Sequence, residues 1–283
     1  MQTIDDIGAM QAWADQARRD RHRIGFVPTM GYLHEGHLSL VRLARTEADR
    51  VVASIFVNPL QFGADEDLDN YPRAFGRDAE MLEAAGADVL FFPPAEQMYP
   101  DGYQTAVTVE RVSQALCGAS RPVHFRGVAT VVTKLFHIVK PHVAVFGKKD
   151  FQQWVVIRRM TADLNFDIEI LGGPIVREPD GLAMSSRNAY LSPVERGAAL
   201  CLARALQAAQ AAVAAGETSA ATIRAAALHV ISAEPLARLD YAELMDVDTI
   251  EPVERISGPT LLALAVHIGR TRLIDNCVLR DSH

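Results

Sequence analysis

A chain of 283 residues, 49% hydrophobic and 22% charged, can bury one substantial core and a smaller second one. Its net charge of -7 and pI near 5.7 exclude a broad basic footprint for DNA or RNA, so any phosphate it holds must be small and locally bound. The opening MQTIDDIGAMQAWADQ lacks the basic region and apolar core of a signal peptide, no apolar run approaches the ~20 residues of a bilayer span, and Cys117, Cys201 and Cys277 lack disulfide or zinc spacing, so no membrane partner and a cytoplasmic location are expected.

In chain order, apolar residues recur at helical spacing from Asp5 to Arg19, and short, near-continuously apolar runs follow: IGFVPT, VVASIFV, ADVLFFP, HVAVFG and FDIEIL. Such runs read as parallel strands buried on both faces, and the helical segments GHLSLVRLARTEAD, FGRDAEMLEAAG and FQQWVVIRRMTADLN separate them. The expected fold is an α/β, doubly wound, Rossmann-like parallel sheet over residues 1–175. From Val176 onward the character changes. Two Ala-rich helical stretches, Pro193 to Ala215 and Ala220 to Ala233, precede the strand-like YAELMDV, TLLALAVHI and TRLIDNCVL, which predicts a second, smaller α+β domain over residues 176–283.

Ligands of open parallel sheets bind outside the carboxyl ends of the strands, where strand order reverses. That rule singles out the loops PTMGYLHEGH, NPLQFG and KKDFQQ, together with the interdomain MSSRNAYLS. A helix starting near Gly36 would offer free backbone N–H groups to a phosphate, and His34 and His37, three apart on one face, could donate to oxygens of the same polyphosphate. A zinc pair of the H-E-x-x-H kind would need i, i+4 spacing and a third ligand. A solvated pair at a helix cap is the plain alternative. Lys149 follows a strand directly and can reach a bound phosphate, or simply be a charged turn. The hydroxyls of Ser185 and Ser186, with Arg187, suit phosphate oxygens, or form a turn leading to the helix cap Ser192. Gln61 and Gln153 can hydrogen-bond a hydroxylated substrate. The acidic ADEDLD, residues 64–69, reads as a solvated loop with magnesium binding an outside alternative. His124 and Arg126 are either a second anion site or a brace at a helix start.

Taken together, PTMGYLHEGH, SIFVNPLQFG, YPR, HFRGV, FGKKDFQQ and VREPDGLAMSSRN resemble, in order and spacing, the pantothenate synthetase family of ATP-dependent ligases that join pantoate to β-alanine. The H-x-G-H portion alone marks the wider nucleotidylyltransferase and class I aminoacyl-tRNA synthetase superfamily, whose mobile lysine-and-serine loop MSSRN resembles with its lysines replaced. The resemblance implies an ATP site lined by Met30, Gly31, Tyr32, Leu33, His34, Glu35, Gly36 and His37, with His34 and His37 near the phosphates and His37 the proton donor. Gly147, Lys148, Lys149, Asp150, Met184, Ser185, Ser186, Arg187 and the backbone at Val176 would complete it. Gln61 and Gln153 would hold pantoate, Gln61 also lying close to β-alanine. Lys148 stands where acidic or other residues also fit the family pattern. The implied reaction adenylates pantoate, releases pyrophosphate, and then lets the amine of β-alanine displace AMP. Magnesium accompanies ATP, the second domain acts as a lid, and the chain pairs as a homodimer through the larger domain. A nucleotidylyltransferase ending on a nucleotidylated product and a non-catalytic nucleotide-binding module are the rivals; a tRNA synthetase lacks a basic domain here.

Overall fold

The computed structural model describes residues 1–63, 68 and 71–280. Its first part runs β1 (Gln2–Ile4), α1 (Ile7–Arg19), β2 (Ile24–Thr29), α2 (Glu35–Glu47), β3 (Arg50–Ile55), α3 (Phe75–Ala84) and β4 (Val89–Phe91). The short α4 (Ala95–Met98) and α5 (Cys117–Ser120) lead to α6 (His124–Val139), β5 (Val143–Gly147), α7 (Phe151–Asp163) and β6 (Glu169–Gly173). The six strands form one parallel sheet in the order β1-β4-β3-β2-β5-β6.

Side chains on its central strands alternate between two cores, as a pleat of period two requires. Ile24, Phe26, Val52, Ala144 and Phe146 pack with α1, α6 and α7, whereas Val27, Val51, Ala53 and Val145 pack with Leu40, Val41 and Leu82 of α2 and α3. Both faces are therefore covered, which is why the runs are apolar throughout. From β2 the chain winds outward through β3 and β4, and from β5 it winds the other way to β6, so β2 and β5 flank the point of reversal. The loop after β2 and the turn after β5 open on the crevice that this creates.

The remaining chain forms α8 (Pro193–Ala199), α9 (Cys201–Ala214), α10 (Ala220–Ser232) and an antiparallel sheet β7 (Ala237–Asp246), β8 (Thr260–Ile268), β9 (Thr271–Leu279). Leu262, Leu264 and Val266 of β8 pack on Leu202, Leu206 and Ile223 of the helices. Leu261 and Ala263, on the other face, join the core beneath the parallel sheet. The second sheet thus sits over the crevice.

Several elements differ from the sequence reading. The three-residue β1 is too short to show a period, the long α6 is absent from the sequence reading although its polar residues 126, 130, 133, 134 and 137 fall at helical spacing, and β6 begins later than FDIEIL suggests. The stretch Pro193–Ala214 is long and apolar enough by composition to cross a membrane, contrary to expectation. It is interrupted at Leu200, and its Cys201, Leu202, Ala205, Leu206 and Ala209 are buried in the second core.

Candidate active site

The loop after β2 is held from below. Thr29 Oγ1 donates to Ser54 O at 2.8 Å and accepts the Gly31 N–H at 3.2 Å. Gly31 and Tyr32 then adopt positive φ, 87° and 49°, which reverses the chain toward α2. Reversal leaves two N–H groups pointing into the protein, and the buried carboxylate of Asp78 on α3 accepts both, from Tyr32 at 2.7 Å and Leu33 at 2.9 Å. Arg77 adds a bond to Leu33 O at 3.2 Å and sits 5.6 Å over the Tyr32 ring.

α2 starts at Glu35, one residue before Gly36, and its cap is His34 itself. His34 Nδ1 accepts the Gly36 N–H at 3.2 Å, His37 Nδ1 accepts the His34 N–H at 3.3 Å, and the His37 N–H reaches His34 O at 2.8 Å. These backbone donors, expected to be free for an anion, are already used. In exchange, both rings must carry their proton on Nε2, which becomes the outward donor. The rings lie 4.1 Å apart between centroids. Burial, then the nearby Lys149 charge, pulls His34 down to about 4, and burial, then His34, then Lys149, pulls His37 down to about 3. At neutral pH both rings are uncharged. His37 therefore presents its Nε2–H to the crevice as a neutral hydrogen-bond donor.

Across the crevice, the 3-10 turn Lys148–Asp150 follows β5 directly. Lys149 Nζ lies 4.0 Å from Asp150 Oδ1. Lys148 turns the other way, its stem against Gly172 and its ammonium 5.3 Å over the Trp154 ring. The stretch after β6 doubles back through a bridge between Arg177 and Ala183, with the Met184 N–H donating to Val176 O at 3.0 Å. Ser185 caps the 3-10 turn Ser186–Tyr190 by accepting the Arg187 N–H, and Ser186 Oγ pairs with the Tyr71 hydroxyl at 3.2 Å. Ser192 caps α8 in a reciprocal box with Glu195, so that alternative also holds.

On a third side, Gly127 lets α6 press against the 3-10 turn Pro59–Gln61, where a Cβ would stand 2.2 Å from Leu60 O. Asn58 Nδ2 bridges Gln61 Oε1 and Gly127 O, both at 3.1 Å, and the Tyr99 hydroxyl donates to Asn58 Oδ1 at 2.8 Å. Among the described residues, Gln61 Nε2 meets a weak acceptor alone, Met30 Sδ, at 3.0 Å. His124 is buried at the start of α6, its Nδ1 3.1 Å from Gln61 O, while Arg126 is exposed. His124 thus sits at the helix start and also lines the central cavity, so its place fits a brace and leaves the anion alternative open.

All three sides border one cavity of about 1240 Å³. Met30, His34, Gly36 and His37 line it with Gly147, Lys149 and Asp150, and so do Gln61, Gln153, Val176, Met184, Ser185, Ser186 and Arg187. Gly31, Tyr32, Leu33, Glu35 and Lys148 do not, since they shape the backbone behind the wall or face elsewhere. Asp78 and Asn276, which fix loops of the lining, escape sequence reasoning because the groups they hold lie far along the chain. Gln152 looks like Gln153 in sequence yet is spent on Cys117 N, Val112 O and Ala115 O. The acids of residues 64–69 lie outside the described residues. Among the described residues no three His, Cys, Asp or Glu side chains group as metal ligands.

Comparison with known proteins identifies the family. Residues 2–278 match the family model described as pantoate-beta-alanine ligase. The chain is 61% identical to the pantothenate synthetase of Geobacter sulfurreducens, over 99% of both chains, and 61% identical to that of Syntrophobacter fumaroxidans, over 100% of both. It superposes on the crystal structure of the Thermus thermophilus pantothenate synthetase with a TM-score of 0.94 and 46% identity, covering 98% of this chain and 99% of that one. A pantoate-beta-alanine ligase from Francisella tularensis, solved in complex with beta-gamma ATP and beta-alanine, gives 0.81 at 33% identity, covering 98% and 97%.

Proposed function

As the chain belongs to the pantoate–β-alanine ligase family, we propose that it condenses pantoate with β-alanine through a pantoyl adenylate, releasing pyrophosphate and then AMP. The observation that carries this reading is the convergence of two neutral Nε2–H donors, His34 and His37, with the Lys149 ammonium on one cavity at the β2/β5 crevice.

In the first half-reaction a carboxylate oxygen of pantoate attacks the α-phosphorus, and the bond to the bridging oxygen breaks as pyrophosphate leaves. Charge on the phosphate oxygens then meets the His34 and His37 donors and the Lys149 cation, which need no reorganisation because their partners already fix them. In the second, the free amine of β-alanine attacks the acyl carbon, loses a proton and expels AMP. No protein nucleophile is needed, and the cavity wall is rich in donors instead. Gln61, whose Nε2 is held by a thioether, has a hydrogen-bond donor to give pantoate, with Gln153 the second contact. Magnesium bound with the triphosphate would screen its charge. Asp150, the carboxylate beside Lys149 on the wall, would be the ion's protein ligand, with phosphate oxygens and water as the others. Residues 176–283 act as the lid that keeps water from the adenylate. The enzyme works in the cytoplasm as a homodimer through the larger domain.

The test is exchange of labelled pyrophosphate into ATP. Exchange with pantoate and magnesium, in the absence of β-alanine, is the expected result. Exchange that demands β-alanine overturns the two-step order, and no ATP consumption with all substrates present overturns the ligase reading altogether.

A further inference from the structure

The turn that carries Lys149 has an unusual support. Its two carbonyls, Lys148 O and Lys149 O, both accept from the side-chain amide of Asn276 on β9, at 3.0 and 2.8 Å. Asn276 is buried, and both hydrogens of its Nδ2 are consumed in this way. Its own place is fixed in turn. The Asn276 N–H donates to Asp275 Oδ1 at 2.8 Å, and the buried Asp275 carboxylate takes Arg177 in a two-pronged pair at 2.7 and 2.9 Å. Arg177 also donates to Gly181 O at 3.1 Å, inside the doubled-back segment that delivers Met184 to Arg187. Two adjacent residues of the second sheet thus grip both loops that face the phosphates from the far side of the crevice.

We propose that Asn276 is a positioning residue for Lys149: its amide sets the Lys148–Asp150 turn, so the lysine reaches its place beside His34 and His37 only when the second sheet is docked. The lid then does more than exclude water. With Lys148 drawn off over Trp154, the Asn276 bonds are the link between the turn and the second sheet that the geometry offers, and undocking would release them. The importance of Lys149 to adenylation rests on the function proposed above; its placement by Asn276 does not.

A double-mutant cycle tests the link. Asn276→Ala should slow single-turnover adenylation about 10- to 100-fold, as small misplacements of catalytic groups do. In a Lys149→Ala background the same change should cost less than about threefold, because the residue through which it acts is gone. An equal loss in both backgrounds, or none in the native one, overturns the proposal. Asn276→Leu, branched like Asn at Cγ but without the amide, repeats the cycle should the Ala variant fail to fold. A second readout is independent of turnover. The His34 ring faces Lys149, Asp150, Glu178 and Arg77, and the lysine is the largest of the charges that hold it down. Ring titration by NMR should therefore move upward in Asn276→Ala as it does in Lys149→Ala. An unmoved titration in Asn276→Ala beside a moved one in Lys149→Ala contradicts the positioning. Were the native chain to show no pyrophosphate exchange, the functional reading would fall while this titration still decided the role of Asn276.

Discussion

The two banks of the crevice are built by different means. The histidine bank is held within its own layer: Thr29 beneath it, Asp78 from α3, and the rings of His34 and His37 capping their own helix. The lysine bank is held from outside, by Asn276 at a separation of 127 residues from Lys149. One bank rests on partners within the parallel sheet and its helices, whereas the other rests on the second sheet. If Asn276 positions Lys149 as proposed, the histidine donors would not depend on docking of the second sheet and the cation would.

The difference can be broken by attacking the histidine bank alone. Asp78→Ala leaves the Tyr32 and Leu33 N–H groups buried without an acceptor, at a cost of ~1–3 kcal/mol each. It should lower the melting temperature and slow adenylation by about 10²-fold as the histidines lose register. Because Asp78 and Asn276 share no partner, the free-energy effects of Asp78→Ala and Asn276→Ala on the adenylation rate should add to within ~0.5 kcal/mol. A strongly non-additive pair would mean that the banks are one unit.

A smaller effect sharpens the contrast from the pantoate side. Gln61→Ala and Gln153→Ala should each weaken pantoate binding by ~1–3 kcal/mol, the cost of an unpaired polar group on the substrate, while ATP binding barely changes. Calorimetry with each ligand separately reads this. Equal losses for both ligands would show that the glutamines do not define a separate pocket.

Much of this architecture is legible in the sequence. Strands buried on both faces announce themselves as unbroken apolar runs, and the carboxyl-end rule then points to PTMGYLHEGH, NPLQFG and KKDFQQ before any coordinates are seen. What escapes does so for physical reasons. The exception is α6, whose polar Arg126, Thr130, Thr133, Lys134 and His137 mark a helical period that the sequence does show, whereas β1 is a short edge strand with one buried residue. The cap at His34 depends on ring nitrogens doing the work usually given to Ser or Asp, which propensity does not anticipate. The family resemblance separates Lys149 from Lys148, but nothing local to the pair does, and it is the Trp154 ring that draws the Lys148 side chain away. Asp78 and Asn276 act across long separations, and nothing local to either residue records its partner.

The central claim is that His37 and Lys149 stabilise charge on the transferring phosphate, as a neutral donor and a fixed cation, and add little to the ground state. Single-turnover adenylation of His37→Ala and Lys149→Ala, with ATP affinity and thermal melts measured on the same samples, tests it most directly. The account predicts a fall of ~10²–10³ in the adenylation rate, a much smaller change in ATP affinity and a preserved fold. A near-normal rate in both variants, or a drop in melting temperature large enough to explain the lost activity, would contradict it.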